Sequence, residues 1–306
     1  MARTIETIVF GCANFGGFGS NLKALGKGNS EAEAHALLDR AYDLGIRVYD
    51  TANTYADGLS ETYLGNWLRK RGPSVRNSVR VTTKVGNVFG HEIEERRKLR
   101  SLRRADILIE CDQSLERLGV DAIDTYFVHM PNPDTPVSET IQAFRELKES
   151  GKIRHIGASN LDDKSFAEYT ATEAVSVLQN KLNLVERSPL LTECARKGIG
   201  FWAYSPLMGG VLSGKYKEGS PFPDGSRGQI LGPEYAKLLD PSVYKRVAEA
   251  RDASKKLGIS LPALGYLWLF DQSAVTGVIV GPKRVEHLDA LAEALRFGGD
   301  ISSVIS

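Results

Sequence analysis

The sequence has almost no excess of charge of either sign. Its 306 residues include 39 Lys and Arg against 38 Asp and Glu, which leaves a formal net charge of +1. Proteins that attract nucleic acid or an anionic membrane surface through a general electrostatic field carry a clear excess of positive charge. We therefore expect no nucleic acid and no membrane among the partners of this chain.

Cysteine is also scarce. The three cysteines, Cys12, Cys111 and Cys194, are odd in number, far apart and without the C-x-x-C or Cys/His spacing of a zinc site. This usage is typical of free thiols in a reducing cytosol. The sequence shows no clustered His and carboxylate ligands either, so no metal site is predicted and a metal-dependent hydrolase is not favoured.

Long hydrophobic runs are missing as well. The longest, Leu261–Phe270, is well short of the roughly 20 apolar residues that cross a bilayer. The first five residues, Met1-Ala-Arg-Thr-Ile5, do not look like the apolar part of a signal peptide. We expect a cytoplasmic protein.

What the sequence does contain is a regular alternation of strand-like and helix-like segments. The strand-like segments are Ile5–Gly11, Arg47–Thr51, Val79–Val85, Asp124–Val128, Ile153–Ala158, Val175–Leu178, Ile199–Tyr204 and Val275–Val280. Helices are predicted from Ser30 to near Gly45, over Ser60–Arg71, Ala105–Leu118 and Pro136–Ser150, from Ser188-Pro189, from Asp240-Pro241, and over Leu261–Phe270 and Val285–Arg296. The segment Pro206–Pro233 is predicted to be a loop with little regular structure.

This alternation predicts an α/β fold with a parallel sheet. Eight strand–helix units in about 250 residues or more are typical of a closed (β/α)8 TIM barrel, and no change in composition marks a domain boundary. A doubly wound open sheet would show G-x-G-x-x-G directly after a strand, and the glycines between Gly16 and Gly28 lack that spacing. We predict a single (β/α)8 barrel domain over residues 1–306.

Four side chains with acid–base chemistry follow the ends of successive strands. Asp50 ends the second strand and Tyr55 lies in the loop behind it, while Lys84 and His129 end the third and fourth strands. The carboxyl ends of barrel strands meet at one rim, where active sites form. An ammonium group favours the phenolate of a nearby tyrosine, a carboxylate can hold the ammonium, and a neutral imidazole can orient a carbonyl oxygen. Together they predict an acid–base site.

At this point the chain resembles the aldo-keto reductase family. The resemblance rests on motifs that fall in order along nearly the whole chain: Asp50-Thr-Ala-x-x-Tyr55 with Gly58-x-Ser-Glu61, Thr82-Thr-Lys84, Tyr126-Phe-Val-His129, Gly151-Lys-Ile-Arg-His-Ile-Gly-Ala-Ser159-Asn160, and Ala203-Tyr-Ser-Pro-Leu207 followed by Gly214-Lys215-Tyr216. It implies a catalytic tetrad of Asp50, Tyr55, Lys84 and His129, and reduction of aldehydes or ketones with NADPH.

The resemblance also implies a set of cofactor contacts. Ser159, Asn160 and Gln179 would hold the carboxamide, and Tyr204 would stack on the nicotinamide ring. The loop from Ser205 to Lys215 would contact the pyrophosphate through residues that include Ser205, Pro206, Leu207, Gly209 and Lys215. The adenosine end would lie at Gly281, Lys283, Arg284 and His287.

The last of these motifs departs from the usual family pattern. Members usually carry an acidic residue followed by Asn that meets the adenine, whereas this chain continues with Ala290-Leu291. Lys283 and Arg284 are still able to bind a 2′-phosphate. We therefore predict NADPH as the cofactor, with NADH as an alternative.

Two hypotheses of function are compatible with these residues. The first is an NADPH-dependent carbonyl reductase that acts on a small-molecule aldehyde or ketone, with Tyr55 as the proton donor. The alternative is a regulatory subunit that binds the nucleotide with little turnover, like the potassium-channel β subunits that share this fold. Four loop residues could form an apolar substrate pocket or pack the loops against the barrel: Phe15, Phe18, Phe89 and Met130.

Overall fold

The computed structural model describes residues 4–87 and 101–305. Within them, eight parallel strands close into a barrel in chain order, and β1 completes the ring by pairing with β8. The strands are β1 (Ile8–Gly11), β2 (Val48–Asp50), β3 (Arg80–Val85), β4 (Ile123–Val128), β5 (Ile153–Ser159), β6 (Val175–Lys181), β7 (Gly200–Tyr204) and β8 (Val275–Val280). The predicted (β/α)8 barrel is confirmed.

Helices follow the strands and cover the outside of the barrel. They are α1 (Glu31–Asp43), α2 (Leu59–Arg71), α3 (Pro73–Ser78), α4 (Arg104–Leu118), α5 (Val137–Glu149), α6 (Asp163–Thr170), α7 (Leu190–Lys197), α8 (Arg227–Leu231), α9 (Pro233–Ala236), α10 (Pro241–Leu257), α11 (Leu261–Phe270) and α12 (His287–Arg296). None of the described helices has the length and apolar character needed to cross a bilayer.

Capping signals in the sequence place several helix starts correctly. Ser30 and Glu33 form a reciprocal capping box at the start of α1, in which the Ser30 backbone N–H donates to Glu33 Oε2 at 2.8 Å. Asp240 accepts from the backbone N–H of Ser242 at 2.8 Å and thereby caps α10. Local chemistry of this kind is readable from sequence because its partners are at most three residues apart.

Other predicted boundaries are wrong. The first strand begins at Ile8 rather than Ile5, because Thr7 donates its hydroxyl to the Thr4 carbonyl at 2.8 Å and closes a 3-10 turn over Ile5–Thr7. The helix predicted from Ser188-Pro189 begins at Leu190, with Pro189 as its N-cap instead of in its first turn. The last helix begins at His287, two residues later than predicted.

Aromatic rings fill the interior of the barrel and rest on glycines of the neighbouring strands. A Cβ atom on Gly277 would lie 2.5 Å from the Trp202 ring, and one on Gly157 would lie 2.3 Å from the Phe127 ring. The centroids of these two rings are 5.7 Å apart. Lys84 Nζ lies 6.0 Å from the centroid of Phe127, so this ring is close to the charged end of Lys84.

Candidate active site

Asp50 and Lys84 form a buried ion pair at the carboxyl ends of β2 and β3. Lys84 Nζ lies 2.5 Å from Asp50 Oδ2 and donates to the Thr51 carbonyl at 2.7 Å. The other carboxylate oxygen of Asp50 accepts from Thr82 Oγ1 and from Gln179 Nε2, each at 2.8 Å. A buried charge is tolerated when it is paired and hydrogen-bonded, and both members of this pair meet that condition.

Tyr55 and His129 complete the group around this ion pair. Lys84 Nζ is 5.0 Å from the centroid of the Tyr55 ring. The Tyr55 and His129 rings meet edge to face, with centroids 5.5 Å apart and an interplanar angle of 80°. The structure therefore brings the four predicted catalytic residues together at one rim of the barrel.

The two residues that follow Tyr55 have strained backbone angles. Ala56 and Asp57 have φ angles of 46° and 60°, in the left-handed region that non-glycine residues seldom adopt. The Ala56 N–H donates to the Gly19 carbonyl at 2.9 Å, which ties this turn to the loop after β1. The conformation of the turn is thus held by a contact from a different strand–helix unit.

Burial and charge set the protonation states of the group. Burial raises the pKa of Tyr55, against a smaller opposing effect of the Lys84 ammonium. Burial alone would lower the pKa of Lys84, but Asp50 and Tyr55 together raise it above its usual value. Burial, reinforced by the Lys84 cation, lowers the pKa of His129 well below 6.5. At neutral pH the group therefore holds a neutral tyrosine, an ammonium and a neutral imidazole.

The effect of the ammonium expected from the sequence is present, but burial has the larger effect on the Tyr55 pKa. Lys84 does favour the phenolate of Tyr55, but the net shift of the Tyr55 pKa is upward because the loss of solvation outweighs the attraction. The attraction of Lys84 is only one contribution to the Tyr55 pKa. The other, the burial of Tyr55, could not be judged from the strand pattern.

A buried polar layer behind the tetrad supports the strands and loop that carry it. Glu61 on α2 accepts from Thr83 Oγ1 at 2.5 Å and from Arg117 Nε on α4 at 2.7 Å. Asn53 Nδ2, in the loop before Tyr55, donates to Glu110 Oε2 at 2.6 Å. The sequence motif contains Glu61, but nothing in the sequence marked Arg117 or Glu110, because their partners are more than 50 residues away.

The residues predicted to hold a carboxamide line the same cavity: Ser159, Asn160, Gln179 and Tyr204. Asn160 has a φ of 59°, and its Nδ2 donates to the His129 carbonyl at 2.8 Å. The Tyr204 hydroxyl donates to Asn160 Oδ1 at 2.6 Å, which fixes the tyrosine ring at the end of β7. Gln179 already donates one amide N–H to Asp50, so it links this group directly to the ion pair.

The loop after β7 contributes the next part of the lining, with Ser205, Pro206, Leu207, Gly209 and Lys215 all at the cavity. The prediction that this loop has little regular structure is wrong in part, because Met208–Ser213 forms a 3-10 turn and α8 lies further along. Ser205 has a φ of 59°, and Gly209 and Gly210 have φ of 62° and 102°. Successive left-handed residues bend the backbone around the cavity.

Basic side chains gather at the loop after β8, where Gly281, Lys283, Arg284 and His287 line the cavity. Lys283 Nζ donates to the Gly225 carbonyl at 3.1 Å, and the Lys283 N–H contacts His287 Nδ1 at 3.2 Å. Arg284 is exposed over 72% of its side chain, with its Nε atom 3.9 Å from Glu286 Oε2.

Sequence reasoning missed one cation of this basic region, Arg227, and its partner Asn14. Arg227, at the start of α8, donates to Asn14 Oδ1 at 2.7 Å, and its guanidinium lies 5.4 Å from the centroid of the Phe18 ring. Asn14 donates in turn to the Gly281 carbonyl at 3.0 Å. Ser226-x-x-Gln229 is a capping pattern that could have revealed the start of α8. The contact between Arg227 and Asn14 spans 213 positions and has no local signal.

Two of the four loop residues considered for the substrate side line the cavity, namely Phe18 and Met130. Phe15 is fully buried and packs on Phe10 with ring centroids 6.0 Å apart, so it holds the loop against the barrel. Phe89 lies outside the described residues.

The donor set of the cavity fits a nicotinamide dinucleotide. The cavity has a volume of about 1590 Å³ and combines amide side chains beside the ion pair with a cluster of cations elsewhere along its wall. Burial and the cations of Lys215, Arg227 and Arg284 lower the pKa of Lys283. Cations that repel one another in this way are stabilised when an anion such as a phosphate lies between them.

Comparison with known proteins agrees with this geometry. The sequence pattern of the Aldo/keto reductase family matches residues 7–304. An NADP(+) aldo-keto reductase of Schizosaccharomyces pombe is 31% identical, over 96% of this chain and 84% of the relative. An NADH-specific methylglyoxal reductase of Escherichia coli is 30% identical, over 87% of this chain and 85% of the relative.

A solved structure shows the same architecture. The glycerol dehydrogenase of Gluconobacter oxydans superposes with a TM-score of 0.79 at 27% identity, over 96% of this chain and 88% of that one. The chain therefore belongs to the aldo/keto reductase family and is an NAD(P)H-dependent oxidoreductase.

Proposed function

We propose that this protein reduces an aldehyde or ketone to the alcohol with NADPH, and that Tyr55 donates the proton. The observation that carries the proposal is the buried Asp50–Lys84 pair, whose ammonium lies 5.0 Å from the Tyr55 ring inside a cavity large enough for cofactor and substrate. Reduction of a carbonyl requires a hydride at carbon and a proton at oxygen. The nicotinamide, when bound, supplies the hydride.

The side chains of the tetrad account for the proton. The Tyr55 hydroxyl is protonated at neutral pH, and burial raises its pKa further, so the acid is present when the carbonyl oxygen gains negative charge. Once the proton has left, the Lys84 ammonium stabilises the phenolate, and Asp50 holds the ammonium in place. His129 is neutral, so it can hydrogen-bond the carbonyl oxygen without adding a second positive charge.

The cofactor would lie along the wall of the cavity. Asn160, Ser159 and the second N–H and carbonyl of the Gln179 amide would hold the carboxamide, and Tyr204 would lie against the ring. The left-handed turn at Gly209 and the Lys215 ammonium would meet the diphosphate. Lys283, Arg284 and Arg227 would meet the 2′-phosphate, which is the basis for proposing NADPH over NADH. The relatives named above include one of each cofactor type, so the choice rests on these cations.

Steady-state oxidation of NADPH and NADH in the presence of a panel of aldehydes and ketones tests the proposal. We expect turnover with NADPH for at least one substrate class. A nucleotide-binding subunit with little turnover is the second candidate. It would bind NADPH tightly in a fluorescence titration and oxidise it at the same slow rate with and without carbonyl compounds.

Tyr55→Phe separates the role of the hydroxyl from that of the fold. The substitution removes one hydroxyl and leaves the ring, so the NADPH Kd and the thermal midpoint should stay close to wild type. The value of kcat should fall about 10²–10⁴-fold, the usual effect of removing a positioned general acid. Lys84→Met should show a loss of similar size, and the double variant should be no slower than the slower single, since both act on one proton transfer.

Near-normal kcat in Tyr55→Phe, with the chemical step shown to be rate-limiting by a deuterium effect from labelled NADPH, would remove Tyr55 from the acid role.

A further inference from the structure

The loop between β1 and α1 holds the backbone of the loop after β8 through two buried asparagines. Asn14 Nδ2 donates to the Gly281 carbonyl at 3.0 Å and to the Pro282 carbonyl at 3.2 Å. Asn29 Nδ2 donates to the Lys283 carbonyl at 2.8 Å. The two asparagines are also joined to each other, because the Asn29 N–H donates to the Asn14 carbonyl at 2.7 Å. Three successive carbonyls of the basic loop are therefore fixed by one distant segment of the chain.

The same asparagines reach the other side of the cation cluster. Arg227 on α8 donates to Asn14 Oδ1 at 2.7 Å. Lys283 Nζ donates to the carbonyl of Gly225, two residues before Arg227, at 3.1 Å. Hydrogen bonds thus form a closed ring from Asn14 to Arg227, along the chain to Gly225, across to Lys283 and back through Asn29. Displacing either cation breaks a hydrogen bond of this ring.

The side chain of Asn14 has one orientation in this ring. Both hydrogens of Nδ2 are donated to carbonyls and Oδ1 accepts from a guanidinium, so a flipped amide would lose all three hydrogen bonds. Asn14 and Asn29 are 3% and 4% exposed. A Cβ on Gly28 would lie 2.3 Å from the Asn14 carbonyl oxygen, so the two ends of the loop touch backbone to backbone.

The ring holds its two cations without neutralising them. Within residues 4–87 and 101–305, neither Arg227 nor Lys283 forms an ion pair with a carboxylate. Burial lowers the pKa of Arg227, with only nearby tyrosine hydroxyls acting against it. Burial and three cations lower the pKa of Lys283, and Glu33 opposes them with the smallest effect. An amide fixes a cation in place and leaves its charge available, whereas a carboxylate would cancel that charge.

The two cations are held close to one ring at the wall of the cavity. The Arg227 guanidinium lies 5.4 Å and Lys283 Nζ lies 5.3 Å from the centroid of Phe18, and all three residues line the cavity. Like charges held this close repel each other, and a dianion beside both relieves the repulsion. The 2′-phosphate of NADPH is such a dianion, whereas NADH has a neutral hydroxyl in its place.

We propose that Asn14 and Asn29 are positioning residues that make the protein select NADPH over NADH, by holding Arg227 and Lys283 beside one another without neutralising them. This inference rests on the proposed use of NADPH. It assigns part of the selectivity to two neutral side chains of the loop after β1, which act through the cations of two other loops. Loss of either amide should therefore weaken the binding of NADPH although no charge of the protein changes.

Fluorescence titrations of Asn14→Ala and Asn29→Ala with NADPH and NADH test the proposal. Asn14→Ala should raise the NADPH Kd about 5–10-fold and Asn29→Ala about 2–5-fold, the range expected for the loss of neutral hydrogen bonds. The NADH Kd should stay within about twofold of wild type. Asn77→Ala is the matched control, because Asn77 is exposed on α3, which precedes β3 and lies away from the cavity.

Double-mutant cycles separate a positioning role from a merely structural one. Asn14→Ala is combined with Arg227→Ala, and Asn29→Ala with Lys283→Ala. Once a cation has been removed, its asparagine has nothing left to position, so each double variant should bind NADPH about as tightly as the cation variant alone. An asparagine that only supports the fold would add its own loss to that of the cation.

The outcomes distinguish this inference from the proposed function. Equal rises in Kd for NADPH and NADH would overturn the role of the asparagines and leave the use of NADPH intact. Additive losses in either cycle would remove that asparagine from the role. A wild type that binds NADH more tightly than NADPH would overturn the proposed cofactor and this inference with it, whereas turnover of carbonyl compounds is measured separately. Circular dichroism establishes that each variant is folded, and Asn29→Ala, which removes one side-chain hydrogen bond instead of three, provides the comparison if Asn14→Ala does not fold.

Discussion

At the scale of single residues, His129 links the chemistry of the site to the stability of the fold. Its imidazole is 6% exposed, and burial together with the Lys84 cation lowers its pKa well below 6.5. The unfolded chain therefore takes up a proton at this residue below about pH 6.5, while the folded chain does not. The contribution of His129 to the unfolding free energy is therefore fully present above the unfolded pKa. It is lost as the pH falls from there through the lower pKa of the folded state.

We expect this one group to steepen the acid side of the stability profile. Its contribution to the slope of the unfolding free energy is at most about 1.4 kcal/mol per pH unit. His129→Gln should have a shallower slope between pH 6.5 and 5 in urea denaturation experiments. His155→Gln, which changes an exposed imidazole on β5, is the control. An identical slope in His129→Gln and wild type would show that this imidazole titrates alike in both states.

Distance along the sequence explains which residues of the site could be predicted. Asp50, Lys84 and His129 stand at or next to strand ends, so a local strand pattern is enough to place them at one rim. Arg227 and Glu110 reach their partners across 213 and 57 positions, through packing that no local pattern encodes. Asn87 follows the predicted strand by two residues, but its contact with Ser20 depends on the path of the loop after β1.

At the scale of elements, the contact between α2 and α4 depends on a glycine, Gly65, which has no side chain. A Cβ on Gly65 of α2 would lie 2.1 Å from the Arg117 carbonyl oxygen on α4, which is backbone and cannot move aside cheaply. The same helix pair carries the ion pair between the half-buried Arg117 and the buried Glu61, which also accepts from Thr83. Close approach of the two helices is thus required for the polar layer behind the tetrad.

Gly65→Ala should destabilise the protein although alanine is the better helix former. The gain in helix propensity is about 1 kcal/mol, and forcing the two backbones apart should outweigh it, for a net loss of about 1–3 kcal/mol. Gly298→Ala is the control, because a Cβ there would meet nothing within 4 Å. Urea midpoints of the two variants measure the difference, and a Gly65→Ala variant as stable as wild type would mean that the helices separate freely.

Elements also show where sequence reasoning fails. The predicted strands and the longer helices α1, α2, α4, α5, α10 and α11 agree with the structure within about two residues, apart from the start of β1 and the end of β6, because period and caps are local. The short helices α3, α6, α8 and α9 were not predicted. A helix of four to eight residues has too few turns for a periodic apolar face, and only its cap or an initial proline could mark it.

At the scale of the whole molecule, a net charge of +1 conceals an uneven distribution. Four cationic side chains share one cavity: Lys215, Arg227, Lys283 and Arg284. Burial, and then the charges of the other three, lower the pKa of Lys283. The net charge predicts no general attraction for a polyanion, since it sums over the whole surface. The net charge contains no information on a local cluster of cations, because such a cluster arises only when the loops after β7 and β8 meet.

This cluster makes the cofactor preference testable. NADPH differs from NADH by a 2′-phosphate that is a dianion near neutral pH, and Arg284 can bind such a group in a bidentate contact. Arg284→Ala should raise the NADPH Kd about tenfold, a moderate effect because the side chain is 72% exposed and screened by solvent. The NADH Kd should hardly change. Raising the salt concentration should weaken NADPH binding more in wild type than in the variant, since the lost interaction is electrostatic.

Arg145→Ala, which removes an exposed arginine on α5, controls for net charge. Fluorescence titrations give all of these constants. An equal rise in Kd for the two cofactors, or a wild type that already binds NADH more tightly than NADPH, would show that these cations do not recognise the 2′-phosphate.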